Sequence, residues 1–249
     1  MSYPGSKGQA GTWQRIIGQM PPHKTYVEPF AGSAQVFFRK RAAKKSFLAD
    51  LDRDVCAKLN YAVVTAGFTH GENVWVVYED ALRFLRTRFF SPETVMYCDP
   101  PYLLQTRRWR RYYDHEFTDE QHAELLTLLK SLGCRVLLSG YPSELYGAAL
   151  QGWRCISYRT RTRGRTVTEC LWCNFPEPDE LHDWRFAGLT FRQRFGWGRF
   201  VRRWLDRLET FPARKRGFIL HTLQESIAQR HPRSQDPATP GMAPRSSAP

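Results

Sequence analysis

A tetrapeptide near the middle of the chain, Asp99-Pro100-Pro101-Tyr102, brings together a carboxylate, two rigid residues and an aromatic ring. It follows the apolar run 95–98, which predicts a buried strand that ends at the carboxylate. The prolines direct the chain outward and remove two backbone donors. The carboxylate and a proline-flanked carbonyl can accept hydrogen bonds from a planar amino group, while the tyrosine projects over the cleft and stacks on a base. The tetrapeptide is therefore predicted to hold a nucleobase by its exocyclic amine, with a purely structural turn as the alternative.

A second candidate segment, residues 27–34, has the sequence Val-Glu-Pro-Phe-Ala-Gly-Ser-Ala. It predicts a strand that runs into a small-residue turn and then a helix. Small residues let backbone amides approach a ligand closely, and a helix start favours a carboxylate or phosphate. The segment has one glycine, so an ordinary strand–helix turn remains an alternative.

Two aspartates follow the next predicted strands. Asp50 ends the apolar run 47–49, a position where an acid often holds ribose hydroxyls. Asp80 comes just after the apolar pair 76–77 and could accept a hydrogen bond from an adenine amino group. Aspartate is also a favoured helix cap, so the sequence leaves both roles open.

The order of the predicted elements decides whether these residues can meet. Strands predicted at 25–29, 46–50, 73–77, 95–98 and 135–139 alternate with helices, one of which begins with a capping box at Thr118 and Gln121. The last two strands, 153–161 and 166–175, leave no room for a crossover helix and should pair antiparallel through 163–164. We predict an α/β fold with a mostly parallel sheet, both faces covered, and an antiparallel C-terminal hairpin. Ligands of such sheets bind beyond the carboxyl ends of the strands, so both motifs and both aspartates should share one rim.

The chain is predicted to divide into three parts. Residues 1–176 form the α/β domain, and the acidic, turn-rich stretch 176–184 is a plausible boundary. Residues 185–230 predict a basic helical hairpin, either a DNA clamp or plain surface. Residues 231–249 are rich in Pro, Ser, Ala and Gly, which predicts a disordered tail.

Charge and composition restrict the partners and the compartment. The 249 residues carry a net charge of +13 with an excess of arginine, which indicates a polyanionic partner or a generally basic surface. No apolar run approaches a membrane span and the start lacks a secretory signal. Six cysteines lie among apolar neighbours, as expected of thiols in a reducing compartment. We therefore expect a cytoplasmic protein that uses no membrane.

Three motifs in this order, Tyr-Pro-Gly-Ser-Lys at 3–7, the segment 28–34 and Asp-Pro-Pro-Tyr at 99–102, are similar to those of the alpha class of Dam-like DNA adenine-N6 methyltransferases. The resemblance covers about residues 1–175. It implies a Rossmann-like class I methyltransferase fold, S-adenosylmethionine as the methyl donor, DNA as the partner and no metal. The residues that it places at the donor site are Tyr3, Lys7, Glu28, Phe30, Gly32, Asp50 and Asp80, and those at the catalytic site are Asp99, Pro100, Pro101 and Tyr102.

The chain departs from the family pattern in two ways. Ala34 stands where the family has a second glycine, and its methyl group is tolerable if the turn stays helical. The stretch 54–94 is filled by a helix, a strand and a short helix, where the family commonly has a sizeable DNA-reading domain.

DNA contacts are expected just after the tetrapeptide and on the hairpin. The first group interleaves guanidinium and aromatic side chains, and the second repeats arginine at alternate positions, although either could be a solvated face. The candidates are Arg107, Arg108, Trp109, Arg110, Arg111, Arg161 and Arg163.

The expected function is methyl transfer from S-adenosylmethionine to the N6 amine of adenine in DNA by direct in-line attack. Two alternatives remain: a cytosine-N4 DNA methyltransferase, because the same geometry activates either amine, and a catalytically inactive DNA-binding module. By resemblance, a protein-glutamine or RNA methyltransferase would more typically have Asn in place of Asp99. A monomer is assumed. A separate cognate nuclease, as in bacterial or phage restriction-modification, is compatible with this expectation, as is an enzyme that acts alone.

Overall fold

The structure is a computed structural model that describes Lys7 and residues 11–103, 117–162 and 165–230. Within these residues the α-helices are α1 Thr12–Ile17, α2 Gln35–Arg39, α3 Arg53–Thr65, α4 Ala81–Arg86, α5 Asp119–Ser131, α6 Glu144–Ala149, α7 Phe191–Glu209 and α8 Ala213–Arg230. The strands are β1 Thr25–Glu28, β2 Lys45–Asp50, β3 Val74–Tyr78, β4 Thr94–Cys98, β5 Arg135–Gly140, β6 Arg154–Thr162 and β7 Arg165–Cys173. A short 3₁₀ helix spans Trp184–Phe186.

In the described part of the chain the strands form one sheet in the order β3-β2-β1-β4-β5-β7-β6. The strands β1 to β5 are parallel, and β7 runs antiparallel to both β5 and β6. Only two residues separate β6 from β7, too few for a crossover, so an antiparallel pair is the available solution. This is the Rossmann-like methyltransferase fold, and the predicted fold class is confirmed.

Both faces of the sheet are covered by helices. Strand residues alternate between two apolar clusters: on β1, Tyr26 joins the cluster built with α1, α2 and α3, and Val27 joins the cluster built with α4, α5 and α6. The central strand β4 is buried along its whole length. A strand with apolar residues on both faces is what a parallel sheet between two helical layers requires.

Caps fix the points where several helices begin. At α5 the Thr118 hydroxyl accepts from the Gln121 N–H and the Gln121 side chain accepts from the Thr118 N–H, so the predicted capping box is confirmed. At α3 the Asp52 carboxylate accepts from the N–H groups of Asp54 and Val55. The Asp52 cap places α3 directly after β2, whose end contributes to the rim.

The chain divides into two compact units, Met1–Arg194 and Phe195–Pro249. The segment after β7 belongs to the first unit, where the His182 N–H donates to the Met20 carbonyl and the Asp183 carboxylate accepts from the Arg41 N–H. In the second unit, large apolar side chains on α7, such as Phe200 and Trp204, are about half exposed. No helix among the described residues is long and apolar enough to cross a membrane.

Candidate active site

The Asp99 carboxylate lies at the carboxyl end of β4 and is contacted by a lysine from the far N-terminal part of the chain. Lys7 Nζ is 2.9 Å from Asp99 Oδ1 and donates to the Tyr102 hydroxyl oxygen at 2.5 Å. The same ammonium lies 4.8 Å from the centroid of the Tyr102 ring. The side chain of Lys7 is only 7% exposed and that of Asp99 is 18% exposed. The ion pair is therefore shielded from water, and each charge depends on the other.

The protonation state of Lys7 follows from this setting. Burial alone would lower the pKa of Lys7, but the charges of Asp99 and Glu169 outweigh it and the pKa is raised. Burial, reinforced by the Asp99 charge, raises the pKa of Tyr102 well above its usual value. Lys7 is therefore an ammonium and Tyr102 a neutral phenol at neutral pH.

Tyr102 lies differently from the sequence expectation that its ring would project over the cleft. The side chain is 8% exposed, because its ring meets that of Tyr141 in a T-shaped contact with the centroids 4.5 Å apart and Lys7 covers it as well. Pro100 is buried and Pro101 is half-buried. The tetrapeptide is thus packed into the rim and shielded from solvent over most of its length.

The C-terminal hairpin contributes a second buried carboxylate. Glu169 on β7 is 6% exposed and pairs across the hairpin with Tyr158 on β6, whose hydroxyl donates to Glu169 Oε2 at 3.1 Å. The Arg15 guanidinium lies 4.4 Å from the centroid of the Tyr158 ring. Burial, followed by the charges of Glu169 and Asp99, raises the pKa of Tyr158 well above its usual value. The hairpin therefore adds negative charge on the side of Lys7 and Asp99.

The turn after β1 is held by the aspartate at the end of β2. The Gly32 N–H donates to Asp50 Oδ2 at 2.7 Å and the Asp52 N–H donates to Asp50 Oδ1 at 3.0 Å. The Asp50 carboxylate thus links the turn after β1 to the N-cap residue of α3. The first motif and Asp50 therefore form one hydrogen-bonded unit, as their shared rim position predicted.

The methyl group of Ala34 was expected to be tolerable if the turn stays helical, and the structure does not meet this condition. The residue has φ 45° and ψ 39°, a left-handed conformation, and it is the one non-glycine residue with positive φ in the described part of the chain. A side chain there meets the following carbonyl, at a cost of about 1 kcal/mol. The turn is thus built for glycine, and the alanine carries local strain.

Three other predicted donor-site residues lie at or near the rim with different partners. Asp80 caps α4, where Oδ1 accepts from the Arg83 N–H at 2.9 Å. Glu28 is 3% exposed and accepts from the Tyr26 hydroxyl, and burial raises its pKa well above the usual value. Phe30 packs edge-on against Phe117. Glu28 thus lies within the apolar layer under β1, which favours a structural role for it.

Several predicted residues cannot be placed. Tyr3, Arg107, Arg108, Trp109, Arg110, Arg111 and Arg163 lie outside the described residues, and Arg161 is described only as part of β6. The DNA contacts predicted from them stay predictions.

Sequence reasoning missed Glu169, Tyr158 and Tyr141 as neighbours of the tetrapeptide. The pairing of Tyr158 with Glu169 could have been predicted, because only two residues separate the strands and the resulting register places these two residues opposite each other. The contact of Lys7 with Asp99 joins residues far apart in sequence, and no local pattern signals it.

Comparison with known proteins converges on the same segment. Residues 79–161 match the model of the family described as D12 class N6 adenine-specific DNA methyltransferases. The match contains the whole Asp99–Tyr102 tetrapeptide. No curated protein sequence matches the chain significantly.

Solved structures of methyltransferases are similar to this chain at low sequence identity. TrmK of M. capricolum, solved with S-adenosyl-homocysteine, is 8% identical over 90% of this chain and 97% of that one, with a TM-score of 0.48. A SAM-dependent methyltransferase from Agrobacterium tumefaciens is 12% identical over 65% of this chain and 58% of that one, with a TM-score of 0.42. An rRNA methylase from Streptococcus thermophilus is 12% identical over 65% of this chain and 90% of that one, with a TM-score of 0.41.

Three of the predicted carboxylates lie at or just beyond strand ends on one rim of the sheet. Asp50 ends β2, Asp99 follows β4 and Asp80 follows just beyond β3, with β1 between β2 and β4. The turn at Gly32 brings backbone between them. These carboxylates therefore stand on one edge of the sheet, the edge at which ligands of such sheets bind. Among the described residues, no group of three or more His, Cys, Asp or Glu is placed to hold a metal ion.

Proposed function

We propose that this protein transfers a methyl group from S-adenosylmethionine to the N6 amine of adenine in DNA. The observation that carries the proposal is the position of the tetrapeptide, which follows β4 directly. Strand β4 is hydrogen-bonded to β1, and β1 runs into the turn that we propose holds the donor. Donor and acceptor groups then face each other across one strand spacing, about 4.8 Å. The match of 79–161 to the D12 family supports adenine as the base.

The chemistry proposed for the tetrapeptide is activation of a weak nucleophile. The lone pair of the adenine amine is delocalised into the ring, so the nitrogen reacts poorly. Hydrogen bonds from its two N–H groups to the Asp99 carboxylate and the Pro100 carbonyl favour a pyramidal nitrogen with a localised lone pair. The bound donor supplies an electrophilic sulfonium methyl group. Asp99 then stabilises the positive charge that develops on the nitrogen, so catalysis consists of positioning and electrostatics.

In duplex DNA, the target amine can reach the Asp99 carboxylate only if the target base leaves the base stack. Flipping costs a few kcal/mol, which stacking and hydrogen bonds in the pocket offset. The ring of Tyr102 is the proposed stacking surface, and the Lys7 ammonium lies beside it, 2.5 Å from its hydroxyl oxygen. The excess of arginine in the chain supplies phosphate contacts, including those proposed for Arg107 to Arg111.

The proposal is tested by methyl transfer to unmethylated genomic DNA, followed by nucleoside analysis. We expect N6-methyladenine; N4-methylcytosine would replace the proposal by its nearest alternative. The variant Asp99→Ala should lose methyl transfer and keep donor affinity, measured calorimetrically with S-adenosylhomocysteine. The matched control is Asp179→Ala, which removes an exposed carboxylate in the loop after β7 and should leave activity unchanged. Wild-type activity in Asp99→Ala would refute the mechanism.

A further inference from the structure

A row of apolar side chains runs along one face of α7, and its members recur at alternating steps of four and three residues. The row consists of Trp197, Val201, Trp204 and Leu208, with Phe200 and Leu205 on its two sides. Steps of this kind keep side chains in line on a helix and form the seam along which two helices pack. We call these six residues the α7 seam.

The α7 seam is open to solvent over most of its length. Leu208, at its C-terminal end, is 8% exposed, whereas the other five side chains are between 51% and 55% exposed. Helix α8 follows α7 directly and still leaves these five side chains open. Half-exposed tryptophans in a row along one helix face are unusual in a monomer, where large apolar side chains find cover.

The open area of the α7 seam is large enough for a specific interface. A whole aromatic side chain covers about 150–250 Å², so half of two tryptophans and one phenylalanine amounts to about 300 Å². With the valine and the leucine included, the patch reaches the size at which exposed apolar surface marks an interaction site. Two such patches placed face to face would bury roughly 1,000 Å², the lower size of a specific protein interface.

We propose that the α7 seam binds the α7 seam of a second copy of this chain, with the two helices antiparallel about a two-fold axis. A two-fold contact joins one surface to an identical one, so a single apolar row supplies both sides of the interface. In the antiparallel arrangement the Glu209 end of each helix lies beside the Arg194 end of the other, and the helix dipoles oppose each other. The protein is then a dimer.

The position of the charges on α7 favours a protein partner at the seam. At about 100° per residue, Arg192, Arg199 and Arg203 lie on the side of the helix opposite the seam. Nucleic acid or anionic lipid on the seam would be out of their reach, although phosphate contacts dominate binding to both. Arg194, beside the seam, donates to the Gly188 carbonyl of its own chain at 2.8 Å. The seam therefore matches an apolar helix face, which a second copy supplies.

Gly198 is a second, independent sign of a close partner. It lies at the edge of the seam, one turn before Val201, and a Cβ there would meet nothing within 4 Å. Glycine weakens the interior of a helix, and no contact within the described part of the chain requires one at this position. A second helix packed on the seam would use the room that the missing side chain leaves.

Sedimentation velocity of the full chain over a wide range of concentrations tests the interface. We expect a reversible monomer–dimer equilibrium, and Trp204→Gln should raise its dissociation constant at least about thirtyfold, because buried tryptophans dominate interface energies. The matched control is Ile227→Gln, which removes an apolar side chain 61% exposed on α8 and should leave the constant unchanged. A wild-type chain that stays monomeric, or an unchanged constant in Trp204→Gln, would overturn the proposal.

A second variant tests the packing at Gly198. Gly198→Gln should keep the unfolding midpoint of the monomer, because its Cβ meets open space, and should weaken the dimer about tenfold by filling the room beside the seam. An unchanged dimer affinity would contradict the close approach. The dimer should also strengthen with salt, which screens the repulsion between the arginine faces. A Trp204→Gln variant that keeps the dimer but loses affinity for DNA, or for vesicles of anionic lipid, would assign the seam to that partner and overturn the proposal.

Discussion

Replacement of Asp50 by asparagine tests how the donor rim is held together. Both carboxylate oxygens accept backbone hydrogen bonds, from the Gly32 N–H at 2.7 Å and from the Asp52 N–H at 3.0 Å. Asparagine offers one acceptor oxygen and one amino group. In either orientation of the amide, one of the two backbone N–H groups therefore faces a donor, which weakens either the link from Gly32 in the turn after β1 or the turn at Asp52.

The size of the effect follows from the lost hydrogen bond. A hydrogen bond to a charged acceptor contributes about 1.5–3 kcal/mol, so we expect the free energy of unfolding to fall by about 2 kcal/mol. For a chain of this length that corresponds to a decrease in Tm of about 4–8 °C. Affinity for S-adenosylhomocysteine should fall as well, because the loosened turn belongs to the proposed donor site.

The matched control is Asp80→Asn at the next strand end. Asp80 Oδ1 accepts from the Arg83 N–H at 2.9 Å as the N-cap of α4, and asparagine is as good an N-cap as aspartate. Its stability should stay within about 0.5 kcal/mol of wild type. Urea unfolding followed by circular dichroism measures both variants. Equal unfolding midpoints for Asp50→Asn and Asp80→Asn would refute the reasoning.

Two further predictions concern packing and pH. Gly18→Ala should destabilise the protein by more than about 2 kcal/mol, because the added Cβ would overlap the Phe186 carbonyl oxygen. The control Gly147→Ala, whose Cβ would stand in open space on α6, should stabilise the protein by up to about 1 kcal/mol. Equal shifts in Tm for the two variants in scanning fluorimetry would contradict the close approach at Gly18. Burial lowers the pKa of Lys40 to about 7, although the charge of Glu28 acts in the opposite direction, whereas the pKa of an unfolded lysine is about 10.4. Between about pH 7 and pH 10 the unfolded chain therefore binds more protons than the folded chain. The free energy of unfolding should rise with pH over this range. In Lys40→Met the urea unfolding midpoint should no longer rise with pH over this range. The same rise in the variant as in wild type would contradict the assignment to Lys40.

The features that sequence analysis predicted correctly depend on local signals. The apolar run before Asp99 indicated the buried strand β4, and Thr118 with Gln121 indicated the start of α5; both are confirmed. Alternation of strands and helices then fixed a parallel sheet, whose strand ends must share an edge. A short connection at 163–164 indicated the antiparallel hairpin.

The features that it missed depend on distant contacts or on torsion angles. The position of Lys7 against Asp99 joins two parts of the chain that share no local pattern. The left-handed φ of Ala34 follows from the path that the turn must take to bring Gly32 to Asp50, which sequence alone does not show. The burial of Tyr102 depends on Tyr141, which reaches it from the end of β5.

The direct pairing of β1 with β4 has a consequence for how activity is lost. These two strands form the centre of the sheet, and their register joins Thr25 to Thr94 and Val27 to Met96. Central strands open only in the global unfolding of a domain, whereas loops and termini open locally at much lower free energy. The proposed alignment of donor and amine would therefore persist until the whole sheet melts. Elements at the edge of the sheet, such as β6, can open earlier, so on heating the proposed methyl-transfer site would outlast them.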